Sequence, residues 1–186
     1  IVRNPLDVAP SYAHQLNCSV DDAIRHMGDP HRAFCASPNG ISGQVQQPLL
    51  SWSGHVASWL DGSNAAVHLI RYEDMHAKPL QTFTQAAAFL GLPYDAPSIE
   101  RAIAFSGFAE LAAQEATTGF RESLVRGRRF FRRGECGGWR DTLSVEQVRR
   151  IVGDHHAMMA RLGYLEDALT WLRTHTSPSA RRENLS

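Results

Sequence analysis

Arg3 follows a short apolar stub, Ile1-Val2, and is followed at once by Asn4-Pro5, the residue types that open a helix. A strand ending on Arg that runs into a helix N-terminus gathers free backbone N–H groups, the positive end of the helix dipole and a planar guanidinium fork. Together these suit a phosphate or sulfate. Ser11 lies seven residues beyond Asn4, on the same helix face, where its hydroxyl could meet the same anion. The plainer reading pairs Arg3 with Asp7 and leaves Ser11 as a solvated helix residue. Three other stretches could carry chemistry. Tyr72, in RYEDM (Arg71–Met75), stands at the end of an apolar β-rich run and could offer a ring or a hydroxyl to a base; the plainer reading is a capped strand end. In FSGF, Ser106 and Gly107 allow close approach and Phe108 could stack on an aromatic ring; the plainer reading makes Phe105 and Phe108 core. In GRRFFRRGECGGW (Gly127–Trp139), Arg128, Arg129, Arg132 and Arg133 flank two aromatics, and Gly134, Gly137 and Gly138 free the backbone for a tight turn.

That last stretch has three readings: a solvated charged loop, a nucleic-acid surface of Arg and stacked aromatics, or a clamp on one phosphorylated small molecule. The formal net charge is zero, although 18 of the 19 basic residues are Arg and only Lys78 is Lys. Six of those Arg fall between Arg121 and Arg133, opposed only by Glu122. A neutral chain with one basic cluster argues for a focused anion site over an extended track. The common catalytic signatures GxSxG, CxxC and HExxH are missing, and a GxxxxGK[ST] loop is excluded because Lys78 precedes Pro79. His55 reads as a packed structural side chain, and the adjacent His155 and His156 make a poor metal pair.

The elements that must position these residues are read from periodicity and caps. A helix is expected from Pro5 behind Asn4, kinked at Pro10, and a second from Ser19 with Asp21 and Asp22 in its first turn. Residues 28–44 are a Gly/Pro/Ser-rich loop and 45–61 an apolar-striped helix with Trp52, Val56 and Trp59. Ala65–Tyr72 reads as a buried strand, Pro79 and Pro97 open helices, and Phe108–Ala116 is helical. Ser144 with Gln147 forms a capping box for a helix running to Gly163. Residues 1–173 are read as one partial domain and 174–186 as a disordered tail. With 186 residues, 20.6 kDa and 43% hydrophobic residues, the chain suffices for one cored domain. Mean hydropathy is -0.30 and no apolar run approaches the ~20 residues of a membrane span. Three scattered cysteines, Cys18, Cys35 and Cys136, point to a reducing compartment. Strand–helix alternation indicates an α/β fold, but two visible strands are too few for a sheet. The others are expected before Ile1, in keeping with a start that is not Met.

Three stretches, IVRNPLDVAPSY, HLIRYEDM with the helix that follows, and FFRRGECGGW with RDTLSVEQ, occur in the order and at the spacing of one family. SWSGHVASW fits the segment between the first two. The chain up to about Leu165 resembles the soluble, cytosolic type of sulfotransferase that uses 3′-phosphoadenosine 5′-phosphosulfate (PAPS), in its C-terminal two-thirds. The resemblance implies a P-loop-kinase-like parallel sheet flanked by helices. It implies transfer of a sulfuryl group to a hydroxyl or amine of a small-molecule acceptor, with PAP (3′-phosphoadenosine 5′-phosphate) as product, no metal and a cytoplasmic location. It implies that Arg3, Ser11, Arg132, Arg133 and Gly134 bind the 3′-phosphate, that Tyr72 and Ser106 contact the adenine region and that Phe108 packs nearby. The family's 5′-phosphosulfate loop, of PKSGTTW type, and its transfer lysines and histidine are expected upstream of Ile1, so the catalytic residues are not assigned here. Gly137-Gly138-Trp139 stands where many members have Gly-Asp-Trp. Arg149 reverses the last charge of a dimer motif, which argues against that dimer and leaves the homo-oligomeric state open. No membrane span or nucleic-acid partner is implied. The acceptor is not selected, although His26, His31 and Phe34 could line its pocket. The alternative is a non-enzymatic anion or nucleic-acid binding module using residues 121–133.

Overall fold

The computed structural model describes residues 1–35, 45–62, 64–119 and 134–176. Helix α1 (Pro5–Leu16) begins where the local chemistry requires: Asn4 is its N-cap, its side-chain oxygen accepts from the Leu6 N–H at 3.0 Å, and Pro5 needs no hydrogen bond at the first position. Helix α1 ends on Asn17 in the left-handed region. Helix α2 (Val20–Gly28) is capped by Ser19. Helix α8 (Val145–Arg161) carries the reciprocal capping box of Ser144 and Gln147, and α9 (Leu165–Thr176) follows the break at Gly163. The apolar stripes of α1, α2, α8 and α9 meet in one core of Leu6, Ala9, Ile24, Val148, Ile151, Met159 and Ala168, closed by Trp139.

The other helices among the described residues are α3 (Trp52–Leu60), which packs on α8, α4 (Tyr72–Ala77), α5 (Pro79–Phe89), α6 (Ala96–Phe105) and α7 (Phe108–Thr118). The expected helix over 45–61 starts only at Trp52. Upstream, Gln47–Pro48 (β2) pairs antiparallel with Ala33–Phe34 (β1), and Leu50 takes a positive φ of 62° before Ser51 caps α3. The 28–44 loop therefore contributes a short strand; its residues 36–44 lie outside the described ones. Helix α9 reaches Thr176, so the expected boundary at Arg173 falls within it, and residues 177–186 are outside the description.

The strand expectations meet in a single rung. The Val2 N–H donates to the Ile70 carbonyl and the Tyr72 N–H to the Val2 carbonyl, each at 2.8 Å, making a parallel bridge between Val2 and Arg71. The 65–72 run is not buried as expected: Val67 and Leu69 remain 42% and 39% exposed. A parallel strand is buried only when neighbours and crossover helices cover both its faces, and here one bridge is its ladder. That bridge nevertheless brings Arg3 and Tyr72 together.

Candidate nucleotide site at the Arg3 strand end

Arg3 leaves the bridge just before α1 and reaches across the chain. Its Nη2 donates to the Glu135 carbonyl at 2.7 Å, and its guanidinium carbon lies 4.3 Å from the centre of the Tyr72 ring. Its Nε is buried and has no hydrogen-bond partner among the described residues. A buried donor without a partner is costly, and an anionic oxygen on that side would satisfy it. Partial burial pushes the Tyr72 phenol above its ordinary range while the nearby Arg3 pulls it down. The phenol is therefore neutral at physiological pH, fit to present a ring or a hydroxyl.

Glu135 belongs to a glycine-rich loop that the sequence placed in the site. Gly134 takes φ +62°, and a Cβ there would lie 2.2 Å from Cδ2 of Phe108, so the ring packs directly on its backbone. The structure thus joins Tyr72, Arg3, the Gly134-Glu135 loop and Phe108 in one continuous line of contacts. Asp7, the partner of Arg3 on the plainer reading, instead accepts from the Gly137 N–H at 2.7 Å and the Trp139 N–H at 3.1 Å.

Ser11 is exposed on α1. Ser106 is exposed at the end of α6, and its hydroxyl donates back to the Ala102 carbonyl at 2.8 Å. Phe105 is 73% exposed, so the core reading fails for it. Arg132 and Arg133 lie outside the described residues, as does the 121–133 cluster.

Sequence reasoning missed the support behind Arg3. The Glu73 carboxylate accepts from the Asn4 N–H at 3.0 Å and from the Tyr164 hydroxyl at 2.7 Å, fixing the start of α1 against α4 and the α8–α9 junction. Arg71 lies over the Tyr164 ring, 4.4 Å from its centre. The one available signal was the acidic pair after Tyr72, which reads equally well as a turn. Among the described residues no three His, Cys, Asp or Glu group as a metal site, and no helix is long and apolar enough to cross a membrane.

Comparison with known proteins gives these residues a context. The family model described as the sulfotransferase domain matches residues 1–163. The chain is 29% identical over 160 residues to cytosolic sulfotransferase 5 of Arabidopsis thaliana, covering 81% of this chain and 48% of that protein. It is 28% identical over 150 residues to human sulfotransferase 2B1, covering 78% of this chain and 39% of that protein. It therefore spans about half, or less, of the curated relatives it matches. Mouse sulfotransferase SULT7A1, solved in complex with PAP, superposes with a TM-score of 0.61 at 24% identity, over 86% of this chain and 57% of that one. At that identity the likeness shows the fold, an α/β architecture that is rich in helix over the described residues.

Proposed function

The chain belongs to the sulfotransferase domain family, and from that membership we propose that it carries the 3′-phosphate and adenine grip of a PAPS-dependent sulfotransferase. The reaction is in-line: the bond between sulfur and the 5′-phosphate oxygen breaks, a bond from sulfur to an acceptor hydroxyl or amine forms, the acceptor's proton passes to a base, and PAP leaves. Positioned cations and N–H donors stabilise the charge that develops. Holding the 3′-phosphate, far from the reacting sulfur, uses binding energy to position it.

The observation that carries this reading is the convergence on Arg3. Its guanidinium sits between the Tyr72 ring and the Gly134-Glu135 backbone with a buried Nε still to be satisfied. Those groups suit a phosphate beside an adenine: the buried Nε of Arg3 for the anion and the Tyr72 side chain next to it for the base. Ser11, Arg132, Arg133 and Gly134 complete the 3′-phosphate side of the proposal. Ser106 and Phe108 stand on the adenine side. Relatives named as cytosolic support a cytoplasmic location. The acceptor is a small molecule, and neither a metal nor a nucleic acid is part of the scheme.

The test is calorimetry of the full polypeptide with PAP and with adenosine 5′-phosphate, which lacks the 3′-phosphate. PAP is expected to bind more tightly, and Arg3→Ala and Arg132→Ala to erase the preference. Each should cost about 1.5–3 kcal/mol if the bond is charge-assisted. Equal binding of the two nucleotides overturns the reading. Salt-sensitive binding of single-stranded oligonucleotides without preference for PAP would put a nucleic-acid module in its place.

A further inference from the structure

The Asp7 carboxylate is buried, 6% exposed, close to a site proposed to take a phosphate. A buried anion there weakens anion binding unless it does something that a neutral side chain cannot. Capping α1 is not that task, because the Asn4 side chain already accepts from the Leu6 N–H. Both Asp7 oxygens turn instead to a loop 130 residues away: Oδ2 accepts from the Gly137 N–H at 2.7 Å and Oδ1 from the Trp139 N–H at 3.1 Å. Charge-assisted bonds from two backbone donors to one carboxylate are strong, and the N-terminal turn of α1 favours the negative charge.

The loop end so held is also anchored in the core. Trp139 is 1% exposed and meets the Trp171 ring edge-on with centroids 5.3 Å apart. From that anchored end the chain runs back through Cys136 to Glu135, whose carbonyl receives Arg3, and to Gly134, which receives the Phe108 ring. Arg3 lies four residues before Asp7, at the mouth of the same helix. One side chain therefore ties the element that carries Arg3 to the loop that faces it.

We infer that Asp7 is a positioning residue whose carboxylate sets the register between the N-terminus of α1 and the 134–139 loop, and so the width of the gap in which the 3′-phosphate is held. This rests on the nucleotide reading of the site. Without the carboxylate the Trp139 N–H is buried without a partner, the loop loosens, and Arg3 no longer meets the Glu135 carbonyl in a fixed geometry.

The experiment uses Asp7→Asn in the full polypeptide, with amide hydrogen exchange and calorimetry. Asn matches the shape but presents one acceptor and a clashing donor to two N–H groups. The Gly137 and Trp139 amides are expected to exchange about tenfold faster, with the Ile24 amide in α2 unchanged. PAP affinity should fall roughly tenfold, while adenosine 5′-phosphate binds as before. Unchanged exchange at both loop amides overturns the inference, as does unchanged PAP affinity, or an equal loss for both nucleotides. A wild-type protein indifferent to the 3′-phosphate sinks the nucleotide reading itself, whereas Asp7→Asn with wild-type PAP affinity sinks only this inference. Should Asp7→Asn fold poorly, Asp7→Glu keeps both acceptors one methylene further out. It should shift PAP affinity in the same direction, and equal affinity overturns the inference.

Discussion

The Phe108 ring lies so close to the Gly134 backbone that a Cβ built on the glycine would sit 2.2 Å from Cδ2, 2.6 Å from Cε2 and 2.7 Å from Cγ. Two independent demands thus meet at Gly134, the close approach and a φ of +62°. Gly134→Ala must either push the ring aside or move the loop that carries Glu135. PAP affinity is expected to fall, with only a small loss in melting temperature because Gly134 and Phe108 are not part of the buried core. The check is a double-mutant cycle with Phe108→Ala. Removing the ring should relieve part of the defect, giving a coupling of about 0.5–3 kcal/mol. Strict additivity would show that the ring is not what the alanine meets.

Glu73 connects three elements, so its loss should be felt in global stability and not in the nucleotide alone. It accepts from the Asn4 N–H and the Tyr164 hydroxyl, and the Arg71 Nε lies 3.9 Å away. Glu73→Ala leaves the half-buried Asn4 N–H and the Tyr164 hydroxyl without their acceptor, which is expected to cost about 1–3 kcal/mol in urea unfolding. Tyr164→Phe should cost less. Burial, then the bond to Glu73, pushes the Tyr164 phenol well above its ordinary range. The unfolded chain therefore releases this proton first, and stability should fall as pH rises past about 10. Tyr164→Phe should remove that alkaline loss; if the loss persists unchanged, another group causes it.

What was legible in the sequence was local. Asn4 and Pro5 announce α1, and Ser144 with Gln147 announce α8, because a cap is a contact between residues two or three apart. The roles given to Arg3, Tyr72, Gly134 and Phe108 came from the family resemblance, and the structure brings those four residues together. The missed contacts are the distant ones. Asp7 meets a loop 130 residues on, and Glu73 meets Tyr164 across 91. No periodicity encodes such pairs, and an Asp in a helix's first turn, four residues after an Arg, looks like its ion-pair partner. Burial was misread for the opposite reason. Apolar composition made 65–72 and Phe105 look like core, yet composition does not say which neighbours will cover a face.

The shape of the Arg3 side chain should matter separately from its charge. Its Nη2 is spent on Glu135, its plane rests on Tyr72 and its Nε is still free to bond. A lysine ammonium is one point and cannot do all three. Arg3→Lys is expected to weaken PAP binding roughly tenfold, about 1.4 kcal/mol. Charge is conserved, so the salt dependence of PAP binding should match the wild type. Wild-type affinity in Arg3→Lys would mean that charge alone holds the ligand there.

His155 supplies the acid side of the pH profile. It is 2% exposed on α8, its Nδ1 lies 2.9 Å from the Ser53 hydroxyl, and its ring meets Trp52 edge-on at 5.4 Å. Burial lowers its pKa, and the neighbouring Asp154 offsets only part of that effect. The folded protein thus resists a proton that the unfolded chain accepts below about pH 6.5. With the unfolded state binding more protons, stability rises with pH through that window and is lost as the pH falls. His26 is shifted the same way by burial and by Arg32 and Arg25, so it adds to the slope. Urea midpoints taken from pH 7.5 to 5 should therefore decline. His155→Gln should flatten the decline because Gln cannot be charged there, whereas His26→Gln alone should leave most of it. A slope unchanged by His155→Gln would place the proton elsewhere and leave the α3–α8 contact insensitive to pH.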